Sequence, residues 1–391
     1  MVRLVPTRGA GVTAVGFALI AVTYGLIRFS YGQFMPIIRN ELGLTESTAG
    51  LISCALFIGN CGALLFAAMA TERFGGRAVA TVAGAIATLG LVGMAASKDE
   101  WAFAAWLMLA GSSAGLSMPP LVAAIVETVK SDRQPLATTI VNAGTSVGII
   151  ISGPIAIYFA GLWRMSFSGF AVIALATTVA TVLVLPKSSK SDKAKPQRLE
   201  RIWKSPATFP LLGSAFLFGV VCASFWTFGG EILSSAGGWS GYEISWFWIL
   251  IGAAGLLGAP AGSCVNYFGV RPVHRFSFLM MAASIILLGL STDHAAFAII
   301  AGGLFGVLYI LQTGLYLVWG MKEVPDRPAA IVAASFFMLP LGQVAGSVLM
   351  GFGMEFLGTK ETLFCFVLLC LMGALYIPPK GKRNELSAQP A

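Results

Sequence analysis

A water-soluble fold is excluded by one feature. Apolar runs of membrane-spanning length recur twelve times in 391 residues. A helical bilayer crossing takes about 20 apolar residues. Runs near this size lie at Gly11–Met35, Ala49–Ala70, Ala78–Ala96, Trp101–Val126, Leu136–Leu162, Met165–Leu185, Ala207–Phe228, Ile244–Val265, Phe276–Leu290, Ala295–Met321, Ala329–Met354 and Thr362–Ile377. The ninth and twelfth are short and are expected to extend at their cytoplasmic ends. In hydrocarbon every backbone polar group must be satisfied within the segment, so such runs form helices. Charged residues make up 11 % of the chain, against about 25 % in soluble domains. The expected class is an all-α integral membrane protein with twelve transmembrane helices. Arg3 and Arg8 precede the first run as in a signal peptide, but the run is too long for one and reads as a retained first span.

The net charge of +8 would suggest nucleic acid in a soluble protein, but its placement says otherwise. Arg3, Arg8, Arg73, Arg77, Lys130, Arg133, seven residues from Lys187 to Lys204, Arg271, Arg275, Lys322, Arg327, Lys380, Lys382 and Arg383 fall in one alternating set of connecting segments, which holds 20 of the 25 basic residues. Arg39, Lys98, Arg164 and Lys360 fall in the other set. Basic residues favour cytoplasmic loops, so both termini are expected in the cytoplasm of a bacterial cell, with the protein in its inner membrane. No nucleic acid is needed to explain the charge.

The remaining basic residue, Arg28, lies inside the first apolar run. A guanidinium at a helix centre costs about 2.5–3.5 kcal/mol on insertion scales. On an α-helix Tyr24, Tyr31, Gly32 and Met35 share its face. Two readings stay open. The side chain snorkels or pairs structurally, or it forms half of a polar, ligand-facing pocket.

Six cysteines occupy apolar runs without metal-like spacing, and His274 and His294 stand apart at span ends. No HExxH, GxSxG or Walker pattern is present. No enzyme activity, metal or cofactor is expected. The polar stretch 186–206 separates residues 1–185 from 207–380 and reads as a basic cytoplasmic linker, with 381–391 as a cytoplasmic tail. The two larger segments repeat. An ungapped offset of 194 residues carries Phe74-Gly75 onto Phe268-Gly269, Arg77 onto Arg271, Asp132-Arg133 onto Asp326-Arg327 and Gly148 onto Gly342. Duplicated six-span halves are a transporter architecture, with substrate held between them near the midplane.

The loop AMATERFGGR (Ala68–Arg77) resembles the GxLaDRFGRR signature between spans 2 and 3 of the major facilitator superfamily, and NYFGVR (Asn266–Arg271) resembles its degenerate second copy. Ala68, Glu72 and Gly76 depart from that pattern. The resemblance covers the whole chain. It implies the major facilitator fold and a conformational network at the cytoplasmic side, carried here by Glu72, Arg73, Gly75, Arg77, Asp132, Arg133, Asn266, Gly269, Arg271, Asp326 and Arg327. TYGLIRFSYGQFMPIIRNELGLT (Thr23–Thr45) resembles the first span of the YbfB-like group of bacterial permeases. An arginine in span 1 also resembles organic-anion members, where it holds a carboxylate. SVGIIISGPIAIY in span 5 only partly resembles the drug/proton antiporter motif and reads as a kinked packing stretch.

In this superfamily spans 1, 4, 7 and 10 line the cavity. By that implication Arg28, Tyr24, Tyr31, Ser117, Trp226, Tyr309, Gln312 and Tyr316 are the expected substrate-binding residues, with a helix break at Pro119-Pro120. Arg28 is the one ionisable Lys, Arg, Asp or Glu deep in any span. A fixed cation among aromatic walls suits a small organic anion, since a carboxylate accepts two parallel bonds from a guanidinium. The expectation is a monomeric secondary carrier of a small monocarboxylate, working by alternating access among membrane lipids. Protons, if coupled, would travel on the substrate or on a peripheral acid such as Glu127 or Glu231. A proton-coupled exporter of drugs or metabolites remains the alternative, and a transporter-shaped sensor is a third reading.

Overall fold

The structure is a computed structural model and describes residues 8–159, 162–187, 208–235, 237–258, 260–292, 294–323 and 328–375. Its elements are helices throughout, joined by short turns. Among the described residues ten helices are long and apolar enough to cross a membrane. The bent pair Gly241–Leu257 and Ala261–Phe268 makes an eleventh. Thr359–Leu375, a 17-residue apolar helix, occupies the place of the twelfth span. The protein is a multi-pass membrane protein of two six-helix halves, as its apolar runs imply.

Several spans differ from the simple runs. Span 1 continues to Leu42 in three pieces: Arg8–Ile20, the π-helical Ala21–Phe29, and Tyr31–Leu42. Span 7 breaks after Trp226 and resumes as Gly229–Ser235. Span 8 bends by 49° between its two pieces. Span 9 starts at Val270, earlier than the apolar run, because the polar first turn still forms helix. Span 12 starts at Thr359, before the apolar run, and its other end, where the extension is expected, lies outside the described residues. The break expected at Pro119-Pro120 is absent: span 4 runs as one helix over Glu100–Thr128 with both prolines inside it. Most of the linker, the segment 376–391, and Asp326 and Arg327 lie outside the described residues.

The internal repeat is visible in the packing. Gly75 and Gly269, matched by the sequence offset, both end a helix at positive φ, 85° and 87°. That conformation is open to glycine and strained for other residues. Gly25 sits directly against Gly148, and Gly219 against Gly342. These are the same pair displaced by the repeat. In each half span 1 or its mate crosses span 5 or its mate with no room for a side chain between them. Small residues permit such close approach where no hydrophobic force separates lipid from helix.

The halves meet unevenly. Gly9 lies against Thr128, and Gly11 against Val184, so the beginnings of span 1 and the ends of spans 4 and 6 share one face of the molecule. Every hydrogen bond or ion pair that joins the halves among the described residues lies from Arg28 outward to the other face. Gln33 Nε2 donates to Ser245 Oγ at 2.9 Å, and the Trp248 indole donates to the Phe29 carbonyl at 2.8 Å. At the outermost level Arg39 Nη2 meets Glu231 Oε1 at 2.8 Å while its other nitrogen pairs with Glu46. The Ser47 amide donates to Glu355 Oε2 at 2.9 Å. Toward the terminus-bearing face Leu65, Phe66 and Met69 of span 2 and Tyr267 and Phe268 of span 8 are exposed. Among the described residues the halves are clamped at one end and, with these apolar side chains exposed, parted at the other.

Candidate substrate site

Span 1 places its cation by abandoning α-helical geometry. The nine residues Ala21–Phe29 form π-turns. Such i→i+5 bonding is rare in proteins and frequent at functional sites. The wider turn advances each side chain by less than the 100° of an α-helix, so faces predicted from α-spacing drift apart along the segment. Gly25, held against Gly148, lets span 5 approach this wide turn.

Arg28 is 5 % exposed. Its Nη2 donates to Gln343 Oε1 of span 11 at 2.6 Å. Three rings surround the guanidinium, Tyr24, Phe29 and Phe57, with centroids 5.4, 5.0 and 5.7 Å from Cζ. Aromatic faces attract a desolvated cation by about 2 kcal/mol or more in favourable cases. They supply no counter-charge, and among the described residues Arg28 has no ion pair. Trp226 packs on Phe29 at 4.3 Å, and Tyr309 packs on both Phe29 at 5.4 Å and Trp226 at 5.2 Å. Thus spans 1, 2, 7, 10 and 11 converge on one charge.

Unpartnered polar atoms cluster here. Arg28 Nε, Trp226 Nε1, Gln343 Nε2 and both amide atoms of Gln312 are buried without a hydrogen-bond partner. Because Gln343 must turn its oxygen to the guanidinium, its free atom is the N–H donor. Beside the cation, Trp226 Nε1 and Gln343 Nε2 are spare donors, Gln312 Oε1 is the one spare acceptor among these atoms, and no negative charge is present among the described residues. A buried donor left unmade costs about 1–3 kcal/mol, a cost relieved by an acceptor-rich ligand. Beside this group Trp226 and Tyr309 help line a cavity of about 10 Å³, shared with Thr145, Ser146, Ile251 and Gly306. That volume is close to what one water needs.

Not all the expected residues gather. Arg28, Tyr24, Trp226, Tyr309 and Gln312 lie on or next to the cluster. Tyr31 does not: it packs against Phe103 at 6.1 Å, and its hydroxyl points to Met35 Sδ at 3.4 Å. The π-turns and the turn at Ser30 shift the helical phase, so Tyr31 faces the interior of its own half. Ser117 lies 3.1 Å from Thr23 Oγ1 and 2.6 Å from the Ser113 carbonyl, inside the same half. Tyr316 bonds to Ser214, two turns of span 10 beyond Tyr309. Gln343 and Phe29 were not anticipated. The signal for Gln343 was available as a lone polar side chain deep in an apolar run.

At the terminus-bearing face the signature residues are spread apart. No ion pair between described residues includes Glu72, Arg73, Arg77, Asp132 or Arg133. The Arg73 guanidinium lies over the Phe74 ring at 5.3 Å. Lys322 donates to Asn266 Oδ1 at 3.2 Å, tying span 10 to span 8 within one half.

Residues 17–347 match the model of the family described as Major Facilitator Superfamily. The chain belongs to the Major Facilitator Superfamily. It is a secondary transporter of that type. A curated relative, the transcription regulatory protein OpdE of Pseudomonas aeruginosa, is 23 % identical over 389 residues, covering 93 % of this chain and 92 % of that protein. Among solved structures the nucleoside transporter NupG superposes with a TM-score of 0.79 at 12 % identity, over 93 % of this chain and 98 % of that one. The xylose transporter XylE from E. coli, in a partially occluded inward-open conformation, gives 0.75 at 15 % identity, over 94 % of this chain and 97 % of that one. A bacterial homologue of the lysosomal transporter Spinster, inward-facing and unoccupied, gives 0.75 at 14 % identity, over 95 % and 96 %. At such identities these structures speak for the superfamily fold alone.

Proposed function

We propose that this transporter moves small organic anions, monocarboxylates first among them, by alternating access across a bacterial cytoplasmic membrane. One observation carries the reading. Arg28 is a buried cation whose hydrogen-bond partner is a neutral amide, with unpartnered N–H donors of its own, Gln343 and Trp226 around it. A carboxylate entering there supplies charge and lone pairs together. It accepts two bonds from the guanidinium and the amide, while Trp226 and Tyr309 cover an apolar body.

Neutralisation also gives a reason to switch. An isolated cation resists being sealed into low dielectric, and a bound anion removes that resistance. Read with the positive-inside bias, the parted end opens to the cytoplasm and both termini lie there, so this conformation faces inward. The carrier works as a monomer, and within the superfamily its first span is most like that of the YbfB-like permeases.

Uptake of labelled short monocarboxylates into proteoliposomes tests the reading. Saturable uptake, competed by unlabelled carboxylates and abolished in Arg28→Ala, supports it. Flux competed by lipophilic cations and indifferent to Arg28 favours the exporter instead. A sensor reading is favoured by the name of the relative OpdE, a transcription regulatory protein. It predicts carboxylate binding without net flux.

A further inference from the structure

A second titratable group lies wholly inside the membrane domain. His274 stands in the first turns of span 9 and is 0 % exposed. Its Nε2 lies 2.7 Å from Ser214 Oγ of span 7, and Ser214 Oγ lies 2.9 Å from the Tyr316 hydroxyl of span 10. Tyr316 donates to the Ser214 carbonyl at 2.9 Å. That bond takes the tyrosine proton and fixes the direction of the chain. Ser214 then donates to the Tyr316 oxygen, and His274 Nε2–H donates to Ser214, an assignment read from the hydrogen-bond pattern. Nδ1 therefore carries a bare lone pair, and it has no partner. The ring is wedged against Phe278 at 4.9 Å and edge-on to Trp319 at 5.8 Å.

The hydrogen-bonded chain ends at Tyr316. Gln312, with both amide atoms unpartnered, lies one turn from Tyr316 on span 10, and Tyr309 lies one turn further, against Phe29 and Trp226. Span 10 thus carries the connection from Tyr316 to the residues beside Arg28 through its backbone and packing. The charged and titratable groups on the elements packed against this part of span 9 are Arg271 and Arg275 on its own helix, Cys264 and Tyr267 on the second piece of span 8, Tyr316, Lys322 and Glu323 on span 10, and Cys370 on span 12.

We propose that His274 is a proton-binding site coupled through Ser214 and Tyr316 to the central site of the carrier. The proton adds to the Nδ1 lone pair, and the reverse step returns it, with no other bond made or broken. The imidazolium carries N–H on both nitrogens, of which Nε2 keeps Ser214 as its acceptor. Its bond to Ser214 becomes charge-assisted and shortens, which draws span 7 toward span 9. In the anion reading the added charge also helps Arg28 hold its ligand. The proton site itself does not rest on that reading.

The full-length protein in lipid nanodiscs, without substrate, provides the test over about pH 3 to 8, a range that reaches well below the ordinary histidine value. Trp319 reports protonation of the ring beside it. Fluorescence is expected to fall in one step as pH drops, and the step is expected to vanish in His274→Gln and in Trp319→Phe. Spin labels at positions 69 and 267, with Cys264 and Cys365 replaced by serine, report the separation of the halves at the parted end. Their distance is expected to change at the same pH in the wild type and to stay constant in His274→Gln. If that variant does not fold, Ser214→Ala keeps the imidazole and cuts the relay. It is expected to retain the fluorescence step and lose the distance response. A histidine-independent fluorescence profile, a distance indifferent to pH, or an unchanged response in Ser214→Ala overturns the proposal. None of these outcomes bears on Arg28, which is probed by carboxylates.

Discussion

Arg28 and Gln343, 315 residues apart in sequence, join the two halves by a 2.6 Å hydrogen bond in which the charge belongs to one side only. The repeat makes the asymmetry plain: the mates of these two residues are Cys222 and Ile149. The duplication that built the fold did not build this pair. Gln343→Glu places a permanent carboxylate where the ligand's is proposed to sit. A hydrogen bond to a charged group is worth about 1.5–3 kcal/mol. The ligand-free variant is therefore expected to melt higher than the wild type and to show no further stabilisation by carboxylates. Differential scanning fluorimetry of both proteins checks this.

Gly32 lies against the Trp226 carbonyl and Gly230 against the Gly32 carbonyl, with no room for a Cβ at either position. Backbone cannot retreat as a flexible side chain can. Gly32→Ala is expected to wedge span 1 from span 7 at the clamped end and so favour opening there. Cysteine labelling from the face opposite the termini, at a position such as Ser347, is expected to rise from background in the variant.

The Arg39–Glu231 pair closes the same end, and the Glu231 side chain is 3 % exposed. Removing Glu231 leaves Arg39 its contact with Glu46 and loses one hydrogen bond between charged groups, worth about 1.5–3 kcal/mol. Glu231→Gln is expected to shift the population toward an open outer end by about tenfold or more, since ~1.4 kcal/mol suffices for that. Spin-label distances across the outer end measure the shift. Glu46→Gln, which leaves the Arg39–Glu231 contact in place, is expected to do much less.

Glu41 ties the end of span 1 to the start of span 6, accepting from Trp163 Nε1 at 2.5 Å and from Arg164. Burial works against its charge, but the indole and guanidinium outweigh burial and hold the carboxyl below its ordinary range. A depressed folded pKa contributes stability above the unfolded value, and this is lost as pH falls through the folded one. The melting temperature of the wild type should thus fall faster on acidification below about pH 4.3 than that of Glu41→Gln. The difference is small because the carboxylate is half exposed.

The fold was legible because the lipid phase restricts the alternatives. Long apolar runs admit helices, the matched charged turns mark the repeat, and Gly75 and Gly269 keep the same backbone at both copies. The site was legible in part. Arg28 announced itself by cost, and Tyr24, Trp226, Tyr309 and Gln312 fell near it. Tyr31 lies off the cluster because the α-spacing that would bring it to the face of Arg28 does not hold across the π-turns of Ala21–Phe29. Gln343 stands on span 11, outside the spans 1, 4, 7 and 10 that the family resemblance puts at the cavity. The bends in spans 7 and 8 were hidden within runs whose composition stays apolar across the break.

The anion site itself is tested most directly by ligand-dependent melting of purified wild type and Arg28→Ala against carboxylates and lipophilic cations. A ligand at 100 times its dissociation constant adds about 2.7 kcal/mol, a shift that is readily seen. The account predicts stabilisation of the wild type by carboxylates and none in a folded Arg28→Ala protein. Equal stabilisation of both proteins by carboxylates, or stabilisation by cations alone, would contradict it.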